Sequence, residues 1–120
     1  MTRCMTNERR DLRVHLRLRV QLAVSSVGHQ GHTEDVGASG CSLLMPMRLP
    51  TGTSVRLLLL PGGVVGPLSV GATVIWGKAP GRLHGLVFDA VDAGRAATWF
   101  DELVAGITRL DHEATGATNR

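Results

Sequence analysis

Between residues 14 and 24 the chain alternates without interruption. Val14, Leu16, Leu18, Val20, Leu22 and Val24 fall on one side, and His15, Arg17, Arg19, Gln21 and Ala23 on the other. A period of two puts successive side chains on opposite faces of an extended backbone. The segment therefore reads as a half-buried β-strand with one face toward a core and one toward water. The spacing predicts a first strand over residues 12–24.

The rest of the chain carries the same signal in shorter pieces, separated by glycine and proline. Further strands are expected over residues 32–36, 41–45, 54–60, 68–76 and 82–90. Residues 25–31, with Gly28 and Gly31, read as the first turn. Gly37-Ala38-Ser39-Gly40 reads as the next, its glycines suiting a tight turn with positive φ. Pro46, Leu49-Pro50-Thr51-Gly52, Pro61-Gly62-Gly63 and Gly77-Lys78-Ala79-Pro80-Gly81 mark the remaining breaks. The pattern changes only near the end, where Ala96, Trp99, Phe100, Leu103, Ile107 and Leu110 recur at helical spacing. Asp92 is placed to cap that helix, and Arg109 suits the negative end of its dipole. The expected architecture is mainly β, a six-stranded antiparallel barrel or sandwich with one C-terminal helix.

Composition bounds the function. The 120 residues suffice for one domain, and with 43% hydrophobic but only 3% aromatic residues the core must come mainly from Val, Leu and Ala. No apolar run reaches the length of a membrane span, and the N-terminus has no hydrophobic signal region, so a cytoplasmic location is expected. Cys4 and Cys41 are then reduced free thiols. Six of the 13 basic residues, Arg3, Arg9, Arg10, Arg13, Arg17 and Arg19, lie in the first nineteen positions, and twelve of the 13 are arginine. A genome rich in G and C accounts for much of the arginine count but not for the clustering. Arginine's planar fork suits phosphate and the O6/N7 edge of guanine.

Catalysis finds little support. His29 and His32 have a spacing used by metal sites, but no cysteine or acid stands near them at ligand spacing. No Ser, Cys or Thr sits in a nucleophile elbow, and no phosphate loop ends in Lys-Ser/Thr. No catalytic residue, metal or cofactor is assigned. Binding rests on two segments. Arg9-Arg10-Asp11-Leu12-Arg13 places an Arg-x-x-x-Arg pair at the mouth of the first strand, where two guanidinium groups can clamp one anion. Asp35-Val36-Gly37-Ala38-Ser39-Gly40 sets a carboxylate beside a turn of small residues. A carboxylate there can accept from the N1–H and N2–H₂ of a guanine, and the turn amides can face phosphate.

In this order and spacing the two segments resemble the signature of the PilZ domain, the bacterial receptor module for cyclic di-GMP. That signature is Arg-x-x-x-Arg followed by Asp/Asn-x-Ser-x-x-Gly, met here by Arg9 and Arg13 and then by Asp35 and Gly40, with Gly37 in place of the serine. His84-Gly85-Leu86-Val87-Phe88 is similar to the family's last strand, and the resemblance spans residues 8–110. Residues 1–8 have no periodicity and read as a flexible arm, and the polar residues 111–120 read as a disordered tail. The resemblance implies a six-stranded split barrel over residues 9–110, with the arm ordering over the ligand. It also implies a cyclic di-GMP site made by Arg9, Arg10, Arg13, Asp35, Gly37, Ser39 and Gly40, with Ser39 standing in for the missing hydroxyl. A missing neutral hydrogen bond costs on the order of 1 kcal/mol, about fivefold in affinity.

Two functions follow from the resemblance. One is an effector that changes shape on binding cyclic di-GMP and signals to a protein partner in motility, biofilm or secretion control. The alternative is a PilZ-like adaptor that binds protein but not nucleotide, a reading that Gly37 favours. A nucleic-acid-binding barrel is not favoured, because with 0 Tyr and 2 Phe a strand face with Tyr or Phe for base stacking is absent. Trp76, Trp99 and Phe100 are expected to pack, Arg17 and Arg19 to be solvated, and His84 to be an exposed strand residue.

Overall fold

The computed structural model describes residues 12–63, 65–78 and 82–118, without the side chains of 109–118. Its strands are β1 (Arg13–Val14), β2 (Arg19–Val24), β3 (Val27–Gly37), β4 (Gly40–Leu44), β5 (Ser54–Leu60), β6 (Leu68–Lys78) and β7 (Leu83–Phe88). A 3₁₀ turn, Ala90–Asp92, leads into helix α1 (Ala93–Thr118). The neighbours run β2–β5–β6–β7–β4–β3, and β3 returns to β2, so the sheet closes on itself. All pairings are antiparallel. With β1 and β2 as two parts of one broken strand, the molecule is a closed six-stranded barrel plus one C-terminal helix.

The first strand is not continuous as its alternation suggests. Residues 15–18 leave the ladder, although Leu18, Val20 and Leu22 keep their side chains in the core. The break is repaired by one buried side chain. Thr33 accepts the Leu18 N–H on its hydroxyl at 2.8 Å and donates that hydroxyl to the Leu16 carbonyl, while its own N–H bonds the Leu18 carbonyl at 2.9 Å. Alternation of burial thus survives where the hydrogen-bond ladder does not.

The first turn is shorter than glycine placement suggests. It consists of Ser25 and Ser26, both left-handed with φ of 49° and 73°, between the paired residues Val24 and Val27. Such a two-residue loop matches the natural twist of a hairpin. Gly28 and Gly31 lie inside the long strand β3, which slips register between Thr33 and Asp35. That bulge at Glu34 keeps Thr33 and Val36 buried while leaving Asp35 partly exposed.

Gly37 and Gly40 likewise end strands instead of supplying positive φ, since among the described residues the left-handed glycines are Gly52, Gly62 and Gly63. Their role is close approach. A Cβ on Gly40 would lie 2.2 Å from the Leu86 carbonyl oxygen of β7, so only glycine lets β4 reach β7 there.

The interior is aliphatic, with Leu22, Leu43, Leu57, Leu59, Leu86 and Leu103 among its fully buried side chains. Each contributes about 1.5–3 kcal/mol by leaving water. Helix α1 closes one side with Ala96, Trp99, Phe100 and Leu103. Asp92 stands just before this helix but does not cap it. Its carboxylate accepts the Gly71 N–H of β6 at 2.9 Å and pairs with Arg95, whose other nitrogen donates to the Ser69 carbonyl. Those donors hold the Asp92 carboxyl below the usual aspartate range, the Gly71 N–H first. The Trp99 indole N–H ties the same helix to the Gly66 carbonyl at 2.8 Å. The helical backbone continues beyond Leu110, the last position of the apolar stripe, to Thr118.

His84 is buried, not exposed, because β7 turns its even-numbered side chains, His84, Leu86 and Phe88, into the core. Its Nε2 accepts the Leu49 N–H at 2.9 Å and so fixes the loop between β4 and β5. Burial lowers its pKa, against nearby backbone acceptors at Arg82 and Leu43. Among the described residues no helix is long and apolar enough to cross a membrane.

Candidate functional site

The bulge in β3 turns Asp35 to the outer surface, and the short strand β1 brings Arg13 to meet it. Arg13 pairs with Gly37 and Val14 with Val36. From there the Arg13 guanidinium reaches back along β3, and its Nη1 donates to Asp35 Oδ1 at 2.8 Å. The pair is partly open to water, with side-chain exposures of 41% and 23%, so its net worth is at the low end for an ion pair, below about 1 kcal/mol. Its significance is positional. A guanidinium and a carboxylate stand together at the barrel surface, one able to take an anion and the other able to accept paired N–H donors.

Gly37 makes that contact possible. A Cβ added there would lie 2.9 Å from the Leu12 carbonyl oxygen and 3.0 Å from Arg13 Cδ. A serine would have to displace either the backbone of the incoming chain or the arginine side chain. The glycine therefore removes a hydroxyl and also lets β1 lie directly on β3.

Next to the pair, three register partners carry one surface across the barrel. Asp35 faces Ser42, Ser42 faces Gly85, and Gly85 faces Trp76. Residues directly opposite in antiparallel strands share a face. The Trp76 indole lies over Gly85, where any Cβ would come within 2.2 Å of the ring. Lys78 Nζ stands 5.7 Å from the ring centroid, in range of a cation–π contact. An aromatic plane thus shares a surface with the Arg13–Asp35 pair. Sequence reasoning assigned Trp76 to packing and missed it. No local signal could have found it, since the row exists only through three pairings between distant segments.

Below the surface, Cys41 pairs with Val36 and is fully buried. Burial pushes its thiol up to about 12, with Arg13 pulling down and Asp35 pushing up, so it remains an inert thiol. Of the other expected site residues, Ser39 is exposed in the connection between β3 and β4, where its carbonyl accepts the Phe88 N–H at 2.8 Å, and Gly40 opens β4. Arg9 and Arg10 lie outside the described residues. His29 and His32, three apart on β3, point to opposite faces. Among the described residues, no group of three or more His, Cys, Asp or Glu side chains is placed to hold a metal ion.

Residues 7–105 match the family model of the PilZ domain. The chain belongs to the PilZ domain family. Solved PilZ structures share its fold at low sequence identity. YcgR from Escherichia coli, in complex with c-di-GMP, superposes with a TM-score of 0.70 at 13% identity, over 89% of this chain and 49% of that one. The inhibitor of motility MotI/DgrA from Bacillus subtilis gives 0.64 at 16% identity, over 82% and 50%. The PilZ domain of CeSA from a cellulose-synthesizing bacterium gives 0.57 at 21%, over 73% and 92%. The PilZ chain described here thus spans about half the length of the MotI and YcgR chains it matches. No curated protein sequence matches it.

Proposed function

We propose that this PilZ domain is a receptor for cyclic di-GMP and signals to a protein partner. The observation that carries the reading is the surface on which Arg13 and Asp35 meet beside the row that ends in Trp76. A cyclic dinucleotide presents what such a surface can bind: a guanine edge, a phosphodiester and a flat purine. Asp35 accepts the guanine N1–H and N2–H₂. Arg13, with Arg9 and Arg10 from the N-terminal segment, takes phosphate and the O6/N7 edge. The Trp76 indole offers a stacking plane for a purine. Ser39 and Gly40 complete the turn beside the carboxylate. The YcgR neighbour is described in complex with c-di-GMP and MotI as an inhibitor of motility, which supports a nucleotide-reading module in motility, biofilm or secretion control. The chemistry assigned is recognition, with no bond broken.

Two observations favour the second reading, an adaptor that binds no nucleotide. Arg13 already occupies Oδ1 of Asp35, and the motif serine is absent. Isothermal titration with cyclic di-GMP at moderate salt separates the two, run beside an Arg9→Ala/Arg13→Ala variant and an Asp35→Ala variant. Saturable binding that both variants lose establishes the receptor. Absence of heat at concentrations adequate for micromolar affinity makes the Gly37 departure decisive and moves the search to a protein partner.

A further inference from the structure

Strand β3 leaves part of one edge without a partner. In an antiparallel ladder, residues that exchange hydrogen bonds with a neighbour alternate with residues whose N–H and C=O point the other way. The two-residue turn pairs Val24 with Val27, and the Thr33 N–H bonds the Leu18 carbonyl farther along. Val27, His29, Gly31 and Thr33 therefore bond toward β2, whereas Gly28, Gln30 and His32 present main-chain groups to the opposite edge. His32 meets Leu44 of β4 there. Continued two residues further, the same register would set Gln30 against residue 46, which is proline. Pro46 has no N–H to give, β4 ends at Leu44, and the Met45 N–H turns to the Arg82 carbonyl at 3.2 Å. Among the described residues, no strand covers Gly28 and Gln30 on this side.

Beside Gln30 this edge borders a groove of about 530 Å³, lined by Gln30 and Gly31 of β3, by Leu44, Met45 and Pro46, and also by β2 and the end of β5. Arg19, His32 and Arg82 stand around it, and no aspartate or glutamate lines it. Arg82 is fixed at this mouth. Its backbone is left-handed, with φ 56°, and its Nη1 donates to the Pro46 carbonyl at 2.8 Å. Such a backbone is uncommon for a long side chain and marks a position held by its surroundings.

We propose that this open edge receives an extended acidic segment of a protein partner, which adds as a short strand beside Gly28 and Gln30. Main-chain hydrogen bonds to an exposed edge supply affinity in this mode, and side-chain pockets supply specificity. The arginines supply the charge preference. They also disfavour a second copy of the chain as occupant, because pairing edge to edge would bring two sets of like charges together. Neither Arg13 nor Asp35 takes part, so occupation of this edge and nucleotide binding succeed or fail independently.

The edge is tested first by amide hydrogen exchange in the free protein. Gly28 and Gln30 are expected to exchange fast, while His29 and Gly31, bonded to β2, exchange slowly. A synthetic octapeptide of alternating glutamate and valine is then titrated at low salt while amide resonances are followed. Gly28 and Gln30 are expected to shift and to gain protection. Gln30→Pro, which removes an N–H only from the open edge, is expected to weaken binding about tenfold or more, as is Arg19→Glu/Arg82→Glu. The same peptide with lysine in place of glutamate is expected not to bind. Slow exchange at Gly28 and Gln30 in the free protein overturns the proposal. So does peptide binding that leaves these amides unmoved, failure of the acidic peptide to bind, or a concentration-dependent dimer that protects the edge.

Discussion

At the scale of single residues, the glycines of the site show how much a sequence motif conceals. The string from Asp35 to Gly40 is readable as a binding turn, and Asp35 does face the surface beside Arg13. The reason for the glycines is not readable there. Positive φ is the local explanation, yet neither Gly37 nor Gly40 adopts it. What requires them is backbone from elsewhere, Leu12 against Gly37 and Leu86 against Gly40. This sets a prediction. Gly37→Ser supplies the missing hydroxyl and crowds Arg13 away from Asp35, freeing the carboxylate for a guanine. Titration with cyclic di-GMP is expected to show tighter binding by about fivefold, the value of one neutral hydrogen bond. Gly37→Ala separates the two effects. It is expected to speed hydrogen exchange in β1 and to lack the gain that the hydroxyl brings. Weaker binding by Gly37→Ser would instead mean that the docked Arg13 is the form that binds.

At the scale of elements, the broken first strand separates two things that alternation alone cannot. Residues 14–24 alternate because one face is buried, and that much holds from Leu18 to Leu22. Whether the backbone also ladders depends on the neighbour, and at residues 15–18 Thr33 takes the ladder's place. Thr33→Val keeps the shape but removes the hydroxyl, leaving the Leu18 N–H buried without a partner and the Leu16 carbonyl without its donor. A loss of about 1–3 kcal/mol is expected, measured by chemical denaturation with an unchanged m-value. A change within about 0.5 kcal/mol would show that water enters and replaces the hydroxyl. The turn between β2 and β3 was misplaced for a related reason. Gly28 and Gly31 are strong local punctuation, but Gly31 serves a close approach, since a Cβ there would lie 2.5 Å from both the Leu44 carbonyl oxygen and Met45 Sδ. Two serines carry the left-handed turn instead.

At the scale of the whole molecule, closure is the property that local reading reached only through regular strand spacing and resemblance. It depends on β3 pairing with both β2 and β4, and Asp92 and Trp99 then fasten the helix to the closed sheet. Buried polar groups must fit that closed whole, and His84 is the one most exposed to a change of pH. Its Nε2 accepts the Leu49 N–H, so its proton resides on Nδ1, which has no hydrogen-bond partner in the described structure. A second proton would have to enter on Nε2, directly against the Leu49 N–H. Burial accordingly lowers the pKa in the folded state from its ordinary 6.5, and Arg48 acts in the same direction. The unfolded chain therefore takes up a proton at a higher pH than the folded one. The stability that His84 contributes is full above about pH 6.5 and is lost progressively as pH falls from there through the lowered folded-state value. Thermal unfolding followed between pH 8 and pH 5 is expected to show a declining Tm below about pH 6.5. In His84→Gln the side-chain oxygen can still accept the Leu49 N–H but does not titrate, so the decline over that window is expected to flatten even if the variant is less stable throughout. An equal slope in both proteins would assign the acid sensitivity to other groups and leave His84 as packing alone.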